Sequence, residues 1–189
     1  MQPALIPTGS ARKPAFDMGG PASEAFWREM AISDLDGVIR VAREAFPDHF
    51  EDRRCFAERL KLFPQGCFVL DEGTGRMLGY LIAYPWTARS APPLNSLVQA
   101  LPNDAEVLYL HDLALLREAQ GKNLTRIIID RLADQARRDG WRAIALVAVN
   151  DATAFWAKAG FAEADEPAMR EKLASYGAGA TYMTRTLGA

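Results

Sequence analysis

The residues best suited to chemistry lie together, in a segment that runs Tyr109-Leu110-His111-Asp112-Leu113-Ala114-Leu115-Leu116 and continues through Arg117-Glu118-Ala119-Gln120-Gly121-Lys122-Asn123-Leu124-Thr125. The first half reads as a strand, the second as a polar, glycine-containing turn that opens a helix. A strand passing straight into a helix in this way leaves the first helical N–H groups unpaired, with the positive end of the helix dipole behind them. Such a start attracts phosphate; Lys122 adds a cation and Gly121 lets the backbone approach closely. Strand alternation puts Tyr109, His111, Leu113 and Leu115 on one face and Leu110, Asp112 and Ala114 on the other. An imidazole, with an ordinary pKa near 6.5, is of the right type to take up a proton at neutral pH. The structural alternative for His111 is a buried strand histidine satisfied by a carbonyl, and Asp112 is expected to pair with a neighbouring helix residue or solvent.

The flanking elements must position this segment. A strand over 27–32 precedes a helix capped by Ser33 or Asp34, whose apolar stripe is Leu35, Val38, Ile39, Ala42 and Phe46 and which Pro47 stops. A second helix over 52–62, with Phe56, Leu60 and Cys55 inward, ends at Phe63-Pro64. Strands over 67–70 and 77–84 form a hairpin about Asp71-Glu72-Gly73-Thr74-Gly75. The loop over 85–104 carries Pro85, Pro92, Pro93 and Pro102 and is long enough to shape a binding site; the tryptophans are expected mostly in the core, with substrate stacking the alternative for Trp86 beside this loop. A strand over 106–116, a helix over 122–138 with Leu124, Ile128, Leu132 and Ala136 inward, and a buried strand over 143–149 follow. Asn150 or Asp151 caps a short helix through Ala159, and a final strand covers 181–187. One strand–helix–strand unit bounded by hairpins predicts an α/β domain with a mixed sheet over 25–189. Residues 1–24, rich in proline and glycine without apolar periodicity, predict a flexible tail.

The central segment resembles the acetyl-CoA-binding motif of the GCN5-related N-acetyltransferase (GNAT) superfamily. There a strand ending Leu-Ala-Val leads to Arg/Gln-x-x-Gly-x-Gly/Ala at a helix start; Leu113-Ala114-Leu115 and Gln120-Gly121-Lys122-Asn123-Leu124-Thr125 fit these in turn. Asn150 with Phe155-Trp156-Ala157-Lys158-Ala159-Gly160-Phe161 is similar to the family's second element, Asn…Phe-Tyr-x-x-x-Gly-Phe. The order of elements from about 27 to 187 matches as well. The resemblance implies a single-domain acyl-CoA N-acyltransferase-like fold, a mostly antiparallel sheet flanked by helices, with the strands at 106–116 and 143–149 splayed apart.

It also implies an N-acetyltransferase with acetyl-CoA as co-substrate and a small-molecule or peptide amine as acceptor. Leu113, Ala114 and Leu115 would pair with the pantetheine arm, Gln120 to Thr125 would cradle the pyrophosphate, and Asn150 and Trp156 would complete the cofactor site. Tyr109-Leu110-His111 is similar to the His-x-His of arylalkylamine N-acetyltransferases, which makes His111 the candidate general base and places Tyr109 on the first histidine. Three residues depart from the pattern. Asn123 and Thr125 replace glycine or alanine; asparagine tolerates left-handed backbone, whereas β-branched Thr125 narrows the room beside a phosphate. Trp156 stands where many members have a tyrosine acid, so Tyr176 is the phenol to consider in its place. These departures motivate a second reading, a CoA- or acyl-CoA-binding module without catalysis.

Charge and composition exclude other classes. The 189 residues carry 22 Lys and Arg against 24 Asp and Glu, and no basic block exceeds a pair, so neither nucleic acid nor an anionic membrane is an expected partner. Cys55 and Cys67 build no disulfide framework, lie on core-like stripes, and are not expected nucleophiles. The two histidines are too far apart in sequence to suggest a metal site, and a cytoplasmic location is the expectation. A nucleotide-binding α/β domain is disfavoured because only one strand–helix–strand unit is present. An exposed sheet edge could pair two subunits into a homodimer.

Overall fold

The computed structural model describes residues 24–47, 51–149, 152–177 and 179–188. Nearly all of the expected tail lies outside them, as does Asn150. In chain order the elements are β1 (Phe26–Glu29), α1 (Leu35–Ala45), α2 (Arg53–Leu62), β2 (Cys67–Asp71), β3 (Met77–Trp86), β4 (Val107–Leu115), α3 (Leu124–Arg138), β5 (Ala143–Ala148), α4 (Thr153–Lys158), β6 (Ala162–Glu163), α5 (Arg170–Ala174) and β7 (Thr181–Thr186). The strands form one sheet in the order β1-β2-β3-β4-β5-β7-β6, antiparallel at every seam except the parallel β4–β5 pair.

Helices cover both faces. Register places Phe68 opposite Leu81 and Val69 opposite Tyr80, so Phe68 and Tyr80 look to opposite sides of the sheet. Tyr80 meets Phe56 of α2 edge-on, while Phe68 lies under the Arg131 guanidinium of α3. Double coverage explains why β2 is buried along its whole length and β3 at all but its last residue, and why both read as apolar runs. On α3, Ile128, Ile129, Leu132, Ala133 and Ala136 are buried, and on α1 Leu35, Val38, Ile39, Val41 and Ala42 are.

The predicted first strand is shorter than its apolar pattern, because a 3-10 turn at Ile32–Asp34 intervenes and leaves Ile32 exposed. Asp34 does flank α1, but its carboxylate accepts from the Ala31 N–H and from Arg28. Arg28 also reaches Asp71, so one guanidinium ties β1, the start of α1 and the β2 end together. The helix expected over 122–138 begins at Leu124. β6 and α5 were not expected. Among the described residues no helix is long and apolar enough to cross a membrane.

Candidate active site

The β4–β5 seam is where the sheet opens. These strands pair only at Leu108–Ile144 and Tyr109–Ala145, although β4 continues to Leu115 against β3 and β5 to Ala148 against β7. Beyond Tyr109 the two diverge, as the resemblance implied. A cavity of about 270 Å³ fills the opening, bounded by Tyr109 to Leu113 of β4, by Leu146, Val147 and Val149 on the β5 side, and by Ala152, Phe155 and Trp156 at α4. The Leu116 N–H donates to Leu78 across the β3 seam, so Ala114 and Leu116 turn their backbone groups toward β3. Leu113 and Leu115 therefore turn theirs toward the opening. The Leu115 carbonyl already accepts from Gln120 Nε2 at 3.0 Å, which pins the following turn to the strand end.

His111 sits at an irregularity that alternation does not foresee. Ile82 pairs with Asp112 and Ala83 with Leu110, which leaves His111 as the extra residue of a β-bulge. A bulge brings adjacent side chains to one side. Asp112, expected on the opposite face, accordingly accepts a hydrogen bond from Tyr80, on the same α2-covered side as His111's partner Glu51. The expectation of a helix or solvent partner for Asp112 is thereby corrected: its partner is a neighbouring strand residue.

His111 Nε2 lies 2.9 Å from Glu51 Oε2, and Glu51 Oε1 accepts from Arg59 Nη2 at 3.0 Å and from the Asn95 N–H at 2.8 Å. The His111, Glu51 and Arg59 side chains are only 3%, 5% and 1% exposed. Burial alone would raise Glu51, but His111, Arg59 and the Asn95 N–H outweigh it and hold the carboxyl at about 2. Burial, reinforced by Arg59, lowers His111 from its ordinary 6.5 against the opposing pull of Glu51. At pH 7 the imidazole is therefore neutral beside an ionised carboxylate, which requires Nε2 to carry the proton and leaves the lone pair on Nδ1. Nδ1 is buried with no hydrogen-bond partner among the described residues.

Three further wall groups constrain the chemistry. Burial pushes Asp112 up to about 7, more than offsetting the Tyr80 hydrogen bond. Burial raises the Tyr109 phenol well above its ordinary value, the Tyr176 hydroxyl donates to the Pro92 carbonyl, and burial holds Tyr176 at about 12. His111, Tyr109 and Tyr176 thus border one cavity, with the Tyr176 proton committed to a carbonyl. Because folded Asp112 binds its proton up to about pH 7 and unfolded aspartate only to about 3.8, native stability falls as pH rises between those values. Asp112→Asn is expected to stabilise the fold by about 1–2 kcal/mol at pH 8, and by much less near pH 5, in paired urea titrations.

The turn ahead of α3 keeps its donors available. Among the described residues the N–H groups from Gly121 to Arg126 have no protein acceptor, the first return bond being Ile127 N–H to the Asn123 carbonyl. Gly121 (φ 74°) and Asn123 (φ 61°) are both left-handed, so Asn123 adopts the conformation that glycine would supply. The space beside Gly121 is open, Lys122 is exposed, Leu124 and Thr125 are half-buried, and such donors suit a pyrophosphate. Trp156 borders the cavity and stacks edge-on against Phe155 and Phe161. Trp86 does not line it and packs on Tyr84 instead. Cys55 and Cys67 are buried thiols whose pKa values burial raises, Cys67 to about 12. Sequence reasoning missed Glu51, Arg59 and Tyr80: the 8-residue spacing of a buried Glu–Arg pair across a helix start carries no motif.

A mixed α/β sheet that opens at its one parallel seam, with a phosphate-receptive helix start beside the opening, is the scaffold that the resemblance to the N-acyltransferase superfamily implied. The chain belongs to the acetyltransferase (GNAT) family, whose sequence profile matches residues 28–161. No curated protein sequence matches the chain. Solved structures similar to it include a GNAT-like decarboxylase, GphF, in complex with isobutyryl-CoA (16% identity, 86% of this chain and 100% of that one, TM-score 0.69). The ribosomal-protein-S18-alanine N-acetyltransferase from Escherichia coli is also similar (17%, 87% and 95%, TM-score 0.60). So is the GNAT family N-acetyltransferase YhbS from Escherichia coli in complex with CoA (19%, 89% and 84%, TM-score 0.57). At these identities the likeness is one of fold.

Proposed function

We propose that the protein is an acetyl-CoA-dependent N-acetyltransferase that transfers acetyl directly to an amine, with His111 as general base. The observation that carries this reading is the Glu51–His111 hydrogen bond at the wall of the opened seam, which leaves an imidazole lone pair on Nδ1. Bound acetyl-CoA would supply the acetyl thioester. The Leu113 and Leu115 backbone groups would hold the pantetheine arm, the N–H groups from Gly121 to Thr125 the pyrophosphate, and Trp156 the wall beside the thiol end. An amine reaches the site protonated and must lose that proton before it attacks; His111 Nδ1 accepts it, directly or through water, and Glu51 stabilises the resulting imidazolium. Tyr176 is a poor acid for the departing thiolate, because its proton is already given to Pro92.

Purified protein should bind acetyl-CoA and CoA, but not ATP, in calorimetric titrations, and should release free thiol from acetyl-CoA only when an amine is added. Tight acetyl-CoA binding without thiol release across a broad amine panel would favour the acyl-CoA-binding module instead.

A further inference from the structure

Resting on that reading, we infer that the acceptor is a compact monoamine with an apolar body, carrying neither a carboxylate nor a second ammonium group. The cavity is lined from two groups of elements. Val149, Ala152 and Trp156, at α4, belong to the group beside which the thioester arm would enter through the opened seam. The lining residues outside β5 and α4 are left for the acceptor: Phe46 from the end of α1, Leu94 from the long loop, and Tyr109 and Tyr176 line the same cavity as the Glu51–His111 pair.

The acceptor site is chemically selective because its charges are already used. Among the described residues no lysine or arginine lines the cavity, so an acceptor carboxylate or phosphate would enter without a counter-charge. Both carboxyl groups in the wall already have partners. Glu51 accepts from Arg59, His111 and the Asn95 N–H, and Asp112 accepts from Tyr80. The Glu51 charge is already matched by Arg59 and burial favours the neutral form of Asp112, so neither offers an unmatched negative charge to a second ammonium group. Burying an uncompensated charge costs far more than burying methylenes gains, so the site discriminates against charged tails more strongly than it selects among apolar ones. The Tyr176 hydroxyl is spent on Pro92 and Tyr109 is buried, which leaves the acceptor wall mostly ring and aliphatic surface.

Three probes with one six-carbon body test this: hexylamine, 1,6-diaminohexane and 6-aminohexanoate. The expected kcat/KM for hexylamine exceeds that for either charged-tail analogue by at least about tenfold, the ratio set by an unpaired charge in an apolar site. Leu94→Arg, a change at the partly exposed loop edge of the cavity, should narrow the hexylamine to 6-aminohexanoate ratio without narrowing that to 1,6-diaminohexane. Equal or better turnover of either charged analogue would overturn the inference and leave the transferase reading standing. Affinity for the CoA-bound protein, measured calorimetrically for the same three probes, separates the two ideas. Preferential hexylamine binding without turnover would uphold the monoamine site and sink the transferase. No hexylamine binding and no hexylamine turnover would overturn the inference whatever other amines do.

Discussion

Replacing His111 by alanine is expected to lower kcat/KM for amine acetylation by about 10²–10⁴-fold, the range that a positioned general base contributes. Acetyl-CoA affinity should be unchanged, because the turn from Gln120 to Thr125 and the Leu113 and Leu115 backbone lie outside the His111–Glu51 pair. The pH profile carries the finer test. Burial and Arg59 depress His111 below its ordinary 6.5, so the base is already free at neutral pH and the acidic limb of kcat/KM belongs below 6.5. Glu51 opposes that depression. Glu51→Gln should therefore move the acidic limb to lower pH and reduce kcat by about tenfold, since the imidazolium loses its counter-charge while an amide can still accept from Nε2. A Glu51 that merely packs would leave the limb in place. Full activity in His111→Ala would end the assignment of the base.

The fold was legible wherever burial imposes a period. α1 and α3 announce themselves because one stripe of each faces the sheet, and β2 and β3 because both of their faces are covered. β6 has two residues and α5 five, too few for any period to show. The turn before α3 was readable because its chemistry is local: Gly121 and Asn123 supply the left-handed angles, and the adjoining helix supplies the dipole. The proposed base was half readable. His111 could be chosen as a residue type on a strand, but its orientation depends on a bulge fixed by which β3 residues pair with Leu110 and Asp112. Its hydrogen-bond partner, Glu51, is 60 residues away in sequence. Strand alternation contains neither fact, which is why it placed Asp112 on the wrong side.

Arg59→Leu is expected to destabilise the protein by about 3–5 kcal/mol in urea titrations at pH 7, the usual effect of removing one partner from a buried ion pair. Arg59 is 1% exposed and, among the described residues, its Nη2 is the only guanidinium on Glu51, so its loss strands a buried carboxylate beside a neutral imidazole. The pH dependence gives the sign. Glu51 is held at about 2 in the fold against an ordinary 4.5; its contribution is present in full above 4.5 and is lost as pH falls toward 2. Without Arg59 the carboxyl is easier to protonate, so the deficit of Arg59→Leu relative to the parent should shrink as pH is lowered from 7 toward 3. Removing both charges, in Arg59→Leu combined with Glu51→Leu, should recover much of the lost stability, because a buried pair gains little over apolar residues of similar size. That double variant should still lose activity as Glu51→Gln does or more severely, since His111 then has no carboxylate at Nε2. A destabilisation by Arg59→Leu of less than about 1 kcal/mol would mean that Glu51 is not held as a buried charge, because stranding one costs several times more. Stability recovered without activity would show instead that the ion pair serves the histidine more than the fold.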